Sequence, residues 1–182
     1  MGGSIREVPI EGVVLRDLVA HDDDRGSVSE IFRQDWLPGA DAMVQANASR
    51  SRAGVLRGLH VHREQADYWV VLAGSAFVGL ADLRAGSPTE GRAASVRLDA
   101  EQASSALYIP PGVAHGYYAE TELLLGYLVD RIYTGGDEFG VAWDDPDLGI
   151  DWPDRRPTLS ERDRSNARLS EARASLGLGF ER

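Results

Sequence analysis

Short stretches of alternating apolar and polar residues run through the middle of the chain. Between about Ser27 and Arg131 this alternation recurs, as in Val28–Phe32 and Val55–Leu59. Successive side chains of a β-strand point to opposite faces, so the pattern predicts many short strands that each have a buried face. Closely spaced strands of this kind are typical of a sandwich or barrel. The pattern therefore predicts an all-β fold.

Proline and glycine mark the turns between the predicted strands. The Arg84–Pro88 loop and the Pro110–Gly112 turn interrupt the alternation, because proline lacks a ladder N–H and glycine permits positive φ. Asp67 begins an apolar strand, and we expect Gly74 to close a hairpin between that strand and the next.

The pattern changes after Trp152 and Pro153. Ser160 is followed by acidic residues in the positions of a capping-box variant, and an Arg/Glu/Ala-rich stretch continues to about Leu176. These signals predict a C-terminal helix packed outside the barrel.

The chain contains no repeat or linker that would divide its 182 residues, so we expect a single domain. Within it we expect an N-terminal strand segment over about residues 1–50, a barrel core over about 51–131 and a C-terminal extension with the helix over about 132–182.

Composition restricts the possible partners. The net charge of −10 argues against a general nucleic-acid surface, and no apolar run approaches the roughly 20 residues of a membrane span. Without cysteine the chain has no disulfide or thiolate metal site, and with no secretory pattern at the N-terminus we expect a cytoplasmic protein. All 19 basic residues are arginine, so an anionic ligand must be held by locally placed guanidinium groups.

Histidines supply the first candidate chemistry. His60 and His62 lie two residues apart in a predicted strand and therefore share a face, while His115 follows the Pro111–Gly112 turn. Each histidine alone is more often structural. Together with Asp67, their spacing resembles the two signature motifs of the cupin superfamily.

The cupin resemblance implies a jelly-roll β-barrel. Many cupins hold a divalent metal with three histidines and a carboxylate, a donor set that suits iron, manganese, nickel or zinc. The implied ligands here would be His60, His62, Asp67 and His115.

Longer blocks resemble a particular family, the dTDP-4-dehydrorhamnose 3,5-epimerases. They come in that family's order and cover about residues 23 to 163: Asp23–Glu30, Gln45–Ser51, Gly54–His60, Asp82–Pro88, Ile109–Gly116 and Trp143–Pro153. The resemblance implies an isomerase of deoxysugar biosynthesis whose substrate is a dTDP-4-keto-6-deoxyhexose and which needs no cofactor.

The implied reaction inverts C3, C5 or both, because the 4-keto group makes the neighbouring C–H bonds acidic. By resemblance His60 would be the base, oriented by Asp163 of the Leu159–Asp163 motif, and Tyr127 would donate a proton on the other face. Two alternatives stay open: Asp163 merely caps its helix, and Tyr127 is a core residue.

The resemblance also implies a set of substrate contacts. Arg57 would bind the diphosphate, and Arg25 and Glu30 would reach the nucleotide of a neighbouring subunit in a homodimer formed by strand exchange. As an alternative, Arg25 and Glu30 form a cross-strand ion pair. The remaining expected substrate-binding residues are Gln45, Asn47, His115, Tyr133 and Trp143, of which Trp143 either covers the nucleotide or fills space.

Among the candidate site residues, two depart from the family pattern. Asp67 stands where the family has an active-site lysine, and His62 stands where it has glutamine. A lysine ammonium would stabilise a developing enolate, whereas an ionised aspartate would oppose it. Three explanations stay open: Asp67 is protonated and donates a hydrogen bond, a metal replaces the ammonium, or epimerisation has been lost.

These observations support three functions. The leading hypothesis is a metal-free epimerase-like enzyme acting through His60 and Tyr127. The alternatives are a metal-dependent cupin enzyme, acting as an isomerase, cyclase or oxygenase, and a non-catalytic sugar-nucleotide binder.

Overall fold

The computed structural model describes residues 3–101 and 104–176, without the side chains of 174–176. Most of its regular elements are short strands. In chain order the described elements are β1 (Ile5–Arg6), β2 (Val14–Asp17), β3 (Ala20–Asp23), β4 (Gly26–Ser29), β5 (Gln45–Ser51), β6 (Leu56–Val61), β7 (Asp67–Ala73), β8 (Ser75–Asp82), β9 (Ala93–Asp99), β10 (Ser105–Ile109), β11 (Val113–Ala119), β12 (Leu123–Val129), β13 (Phe139–Gly140), α1 (Glu161–Arg164) and α2 (Leu169–Leu176). Single 3-10 turns lie at Gln34–Trp36 and Pro146–Leu148.

Two antiparallel sheets form the body of the protein. One has the strand order β1-β2-β10-β7-β12-β5, and the other has the order β13-β6-β11-β8-β9. Strands β1, β2 and β5 of the expected N-terminal segment therefore belong to the same sheet as strands of the expected barrel core. The predicted all-β jelly-roll barrel with a helical C-terminal segment is confirmed.

The main core lies between the two sheets. Trp69 and Val71 of β7, Leu125 of β12 and Leu107 of β10 meet side chains of the five-stranded sheet such as Leu80. These residues sit at alternate positions of their strands, so the apolar period that predicted strands also selects the buried face.

Two smaller clusters cover the outer faces of the sheets. On the five-stranded sheet, Leu56 and Leu59 pack with Val141, Trp152 and Leu169 from the C-terminal segment. On the six-stranded sheet, Tyr68 and Val70 pack with Leu37 and Phe32. The C-terminal segment therefore lies outside the barrel, as predicted, and brings α1 next to β6.

Three local predictions were wrong. Gly74 does not close a hairpin, because β7 and β8 lie in different sheets and the chain crosses between them at Gly74. The strand predicted over Val28–Phe32 ends at Ser29, and Val28 is exposed. The predicted continuous C-terminal helix is divided into α1 and α2, because the intervening Ala167 carbonyl accepts a hydrogen bond from Ala142 N–H (2.8 Å).

Strands β6 and β11 approach each other very closely beside the cavity between the two sheets. A Cβ atom on Gly58, whose φ is +128°, would lie 2.6 Å from the Gly116 Cα. His60 pairs with His115 and Arg57 with Tyr117, so β6 carries one extra residue there, as in a β-bulge. The bulge lets this part of β6 present His60 and Arg57 to the same cavity.

No helix among the described residues is long and apolar enough to cross a membrane.

Candidate active site

A cavity of about 390 Å³ opens between the two sheets. Strands from both sheets contribute polar side chains, and the C-terminal segment adds Arg162. The lining includes these residues expected from the sequence: Gln45, Asn47, Arg57, His60, His62, Asp67, His115, Tyr127 and Tyr133. The structure therefore gathers most of the expected site from residues 45–47, 57–67, 115 and 127–133, which are separated along the chain.

His60 and Asp163 form a hydrogen-bonded dyad at this cavity. The His60 Nε2 atom lies 2.8 Å from Asp163 Oδ1, and the Asp163 carboxylate is buried. When the neutral ring donates Nε2–H to the carboxylate, its lone pair is on Nδ1, which can then accept a proton. The dyad is therefore suited to general-base chemistry.

Ser160 holds the aspartate of the dyad in place. The Ser160 hydroxyl donates to Asp163 Oδ2 (2.9 Å) and accepts from the Asp163 backbone N–H (3.0 Å), which caps α1. Burial acts to raise the pKa of Asp163, but the hydrogen bond and charge interaction with His60, together with Ser160, lower it overall. Ser160 is thus the cap, and the Asp163 side chain reaches His60 instead of only capping the helix.

His62, Asp67 and His115 form a second group, here called the cluster. All three are buried, and one ligand atom from each lies within 4.8 Å of the others. The His62 Nε2 atom is 4.0 Å from Asp67 Oδ1, and the His115 Nε2 atom is 3.8 Å from Asp67 Oδ2. Burial lowers the pKa of His115 to about 4, so this ring is neutral at physiological pH.

The four-residue metal set predicted from the cupin pattern is not assembled. Among the described residues, the group that could hold a metal contains His62, Asp67 and His115 but not His60. The His60 ring is held instead by Asp163. Two imidazoles and a carboxylate still fit a divalent transition metal, since this donor set suits iron, manganese, nickel or zinc.

Tyr127 projects into the cavity from β12. Its strand neighbours in the sheet are Trp69 of β7 and Asn47 of β5. Burial, and then the nearby charge of Asp67, raises the pKa of Tyr127. The phenol is therefore protonated at neutral pH and can act as a proton donor.

Arg57 lies at the exposed side of the cavity. Its Nε atom donates to Ser51 Oγ (3.0 Å) and its Nη2 atom to the Arg50 carbonyl (3.2 Å). These bonds orient the guanidinium while leaving Nη1 for another acceptor, which suits a phosphate oxygen.

The amides of Gln45 and Asn47 line the cavity beside one another. Gln45 Nε2 donates to Asn47 Oδ1 (3.0 Å), and Gln45 Oε1 accepts from the backbone N–H of Tyr133 (3.0 Å). The Tyr133 side chain is largely exposed, and its hydroxyl donates to Glu138 (3.2 Å).

Sequence reasoning missed an ion pair in the cavity. Arg162 Nη1 lies 2.6 Å from Glu138 Oε1, and both residues line the cavity. Burial acts to raise the pKa of Glu138, but Arg162 and the nearby His60 lower it overall. Arg162 has a signal in the sequence, because it precedes Asp163 where the family motif has lysine. Glu138 lies in an irregular loop without such a signal.

Apart from Asp163, which is connected to the cavity through His60, three residues expected at the site do not line this cavity. Arg25 and Glu30 lie at the exposed β3–β4 hairpin, where Arg25 pairs with Asp23 (2.5 Å) and Glu30 with Arg33 (3.4 Å). The alternative prediction of an Arg25–Glu30 ion pair is therefore wrong, because each has a closer partner in sequence.

Trp143 packs on the outer face of the five-stranded sheet. The Trp143 carbonyl accepts a hydrogen bond from Trp152 Nε1 (2.9 Å). Trp143 also lines a separate groove of about 590 Å³. Within this chain it fills space instead of covering the cavity.

Comparison with known proteins places this geometry in context. A family model described as dTDP-4-dehydrorhamnose 3,5-epimerase matches residues 7–171. A dTDP-4-dehydrorhamnose 3,5-epimerase of Streptomyces griseus is 39% identical over 176 residues, covering 92% of this chain and 87% of the relative. A dTDP-4-dehydrorhamnose 3-epimerase of Streptomyces niveus is 38% identical over 177 residues, covering 93% and 85%.

Solved structures agree with this similarity. A crystal structure of a dTDP-6-deoxy-D-glucose-3,5-epimerase from Legionella pneumophila, in complex with dTDP-4-keto-L-rhamnose, superposes with a TM-score of 0.88. Its sequence is 34% identical, and the alignment covers 95% of this chain and 96% of that one.

Proposed function

Because the chain belongs to the dTDP-4-dehydrorhamnose 3,5-epimerase family, we propose that it inverts C3, C5 or both of a dTDP-4-keto-6-deoxyhexose. The observation that carries this proposal is the hydrogen bond between His60 and Asp163 at a cavity that Tyr127 also lines. A base and an acid in one cavity are what an inversion through an enolate requires.

His60 takes the proton from the carbon beside the ketone. Its Nδ1 lone pair accepts that proton, and Asp163 stabilises the imidazolium that forms. The electron pair of the broken C–H bond moves toward the ketone oxygen and forms the enolate. Tyr127 then returns a proton to the opposite face of the same carbon, which inverts the stereocentre.

Arg57 holds the diphosphate. Its guanidinium is oriented by Ser51 and the Arg50 carbonyl, so little side-chain freedom is lost when it binds a phosphate oxygen. Gln45 and Asn47 contact the sugar nucleotide farther inside the cavity, and Tyr133 completes the binding residues.

The protein acts as a homodimer in this proposal. The β3–β4 hairpin forms a sheet of its own, and every residue of β3 is exposed. Such a hairpin suits exchange with a second copy, in which Arg25 and Glu30 reach the partner's nucleotide. The absence of cysteine supports a cytoplasmic location.

A proton-exchange experiment tests the proposal. The protein is incubated with dTDP-4-keto-6-deoxyglucose in D₂O, and NMR follows deuterium entering C3 and C5. We expect exchange well above the uncatalysed rate at one or both carbons. Exchange at neither carbon, with the sugar nucleotide still bound, would identify a non-catalytic binder and overturn the proposal.

A tyrosine variant tests the proton donor. Tyr127→Phe keeps His60 and is expected to keep deuterium exchange while inversion falls about 10²-fold, because the enolate is reprotonated from the side where it formed. Tyr118→Phe is the matched control, since Tyr118 packs on the outer face of the five-stranded sheet. Equal loss in both variants would remove Tyr127 from the mechanism.

A further inference from the structure

We infer that His62, Asp67 and His115 form a binding site for a divalent first-row transition metal ion, beside the dyad and independent of it. Metal binding itself does not require the proposed epimerase activity. Its consequence for catalysis, given below, rests on the proposed function. The ion belongs to the class that imidazole and carboxylate bind together, such as Zn²⁺, Fe²⁺ or Co²⁺.

The hydrogen bonds of the two histidines leave both Nε2 atoms with a lone pair. His62 Nδ1 lies 2.7 Å from the Asp137 carbonyl, and His115 Nδ1 lies 2.9 Å from the Val113 carbonyl. A carbonyl only accepts, so each Nδ1 carries a proton, and the atom left to bind a metal is Nε2, whose lone pair is available in the neutral form of the ring. Metal-binding histidines are typically held in this way by a backbone carbonyl.

Both Nε2 atoms lie close to the Asp67 carboxylate, one near each of its oxygens. The Nε2 to oxygen distances of 4.0 and 3.8 Å are too long for hydrogen bonds. Because the three ligand atoms lie within 4.8 Å of one another, a point about 2.8 Å or less from all three exists. Small side-chain movements would shorten this distance to the roughly 2.0–2.2 Å of metal bonds to nitrogen and oxygen.

Neighbouring groups hold the ligands in position. Asp67 accepts hydrogen bonds from Trp69 Nε1 (2.9 Å) and Gln65 Nε2 (2.8 Å), and each of its oxygens still has a free lone pair. The Asp137 carboxylate accepts from the backbone N–H groups of residues 63, 64 and 65, which fixes the loop whose carbonyl orients His62. The site is thus organised before an ion arrives.

The net charge of the metal and its ligands would give the site a role in the proposed reaction. A divalent ion bound by one carboxylate and two neutral imidazoles gives the site a net charge of about +1. The ammonium group of the lysine that the epimerase family has at position 67 carries the same charge. Asp67 and His62, which both depart from the family pattern, are both ligands in this arrangement. They would then replace an ammonium by a metal while His60 remains a free base.

Metal titration tests the site directly. Chelator-treated protein is titrated with Zn²⁺ and with Co²⁺, using calorimetry, metal analysis after desalting and the quenching of tryptophan fluorescence by Co²⁺, to which Trp69 beside Asp67 contributes. We expect about one ion per chain in the wild type. His62→Gln and Asp67→Asn should each weaken binding by about 100-fold or more, because each removes a ligand.

Two further variants separate this site from its alternatives. His21→Gln is the matched control, since His21 is exposed on the β3–β4 hairpin, and it should bind metal like the wild type. His60→Asn should also retain the metal, because His60 is held by Asp163. Circular dichroism identifies any variant that has not folded. Whether the protein binds a metal ion at all is decided by the wild-type titration, which needs no variant.

The outcomes distinguish failure of this inference from failure of the proposed function. No stoichiometric ion in the wild type, or binding unchanged in both His62→Gln and Asp67→Asn, would overturn the metal site whatever the activity. Loss of the ion in His60→Asn would replace it with a four-residue cupin site. A bound ion without deuterium exchange at C3 or C5 would leave the metal site standing and reject the epimerase.

Discussion

The dyad and the cluster occupy the same cavity but have diverged to different degrees. His60 and Asp163 match the family pattern and are joined by a short hydrogen bond of 2.8 Å. In the cluster, Asp67 and His62 both depart from that pattern, and the three side chains meet at distances that fit an ion better than a hydrogen bond. In the proposed mechanism the protein thus keeps its proton-transfer group, whereas the charges on the neighbouring side of the cavity change.

This difference separates two requirements of the reaction. Proton removal needs a base at one position, whereas stabilising the enolate needs positive charge that more than one chemical group can supply. A rigid strand framework allows one requirement to be met by new residues without disturbing the other.

The largest expected effect comes from removing the base. His60→Asn should lower deuterium exchange by about 10³-fold, because no other group takes the proton at that carbon. NMR of the exchange reaction measures it, with the wild type and the outer-face variant Tyr118→Phe as controls. A rate within a few-fold of the wild type would remove the dyad from catalysis.

Asp163→Asn should have the next largest effect, about 10²-fold on kcat with little change in KM. An asparagine can still contact the ring but does not stabilise the imidazolium, so proton transfer suffers more than binding. Steady-state kinetics separate the two constants. If KM rose while kcat stayed constant, Asp163 would be a binding residue instead.

Deuterium exchange catalysed by the wild type should fall about 10²-fold when a chelator removes the metal, because the positive charge that stabilises the enolate is lost. Adding Zn²⁺ or Co²⁺ should restore the rate. The double variant His62→Gln/Asp67→Lys returns both positions to the family pattern. Its exchange rate should be insensitive to chelation. Sensitivity equal to that of the wild type would contradict the idea that cluster and ammonium are interchangeable.

The smallest expected effect concerns the support of the dyad. Ser160→Ala removes the cap of α1 and a hydrogen bond to Asp163, and should lower the free energy of unfolding at pH 7 by about 1 kcal/mol. The pKa of Asp163 is lowered in the folded state, so its carboxylate stabilises the fold above its unfolded pKa of about 3.9.

That contribution is lost as the pH falls through the folded pKa of Asp163. The difference in unfolding free energy between wild type and Ser160→Ala should therefore shrink as the pH falls below 5. At the lowest pH at which the protein is still folded, only the contribution of the helix cap should remain. Urea unfolding at several pH values measures it. Ser165→Ala is a suitable control, because Ser165 lies at the C-terminal end of the same helix and its hydroxyl donates to the Arg162 carbonyl. A difference that grew in acid would contradict the role assigned to the carboxylate.

Much of the fold followed from local patterns in the sequence. Apolar alternation identified the strands, Asp67 does begin β7, and Ser160 does cap α1. The predicted epimerase-family isomerase is confirmed by the match over residues 7–171. These features depend on the period of side-chain directions and on nearest-neighbour backbone chemistry, which a linear sequence displays.

Tertiary structure alone decided how these pieces meet. Gly74 joins two sheets instead of a hairpin, and Ala142 pairs with the segment that divides the C-terminal helix. Neither choice has a local signal, because each depends on which distant strand or loop is available to accept a backbone hydrogen bond.

The site shows the same division. The sequence by itself determined which residues could carry the chemistry, since the spacing of His60, His62 and Asp67 and the motif around Asp163 are visible in it. Packing of the C-terminal segment against β6 decided that His60 belongs to Asp163, 103 residues away, and not to the cluster. A histidine can commit its Nε2 to one partner at a time, and only the folded chain determines which partner is within reach.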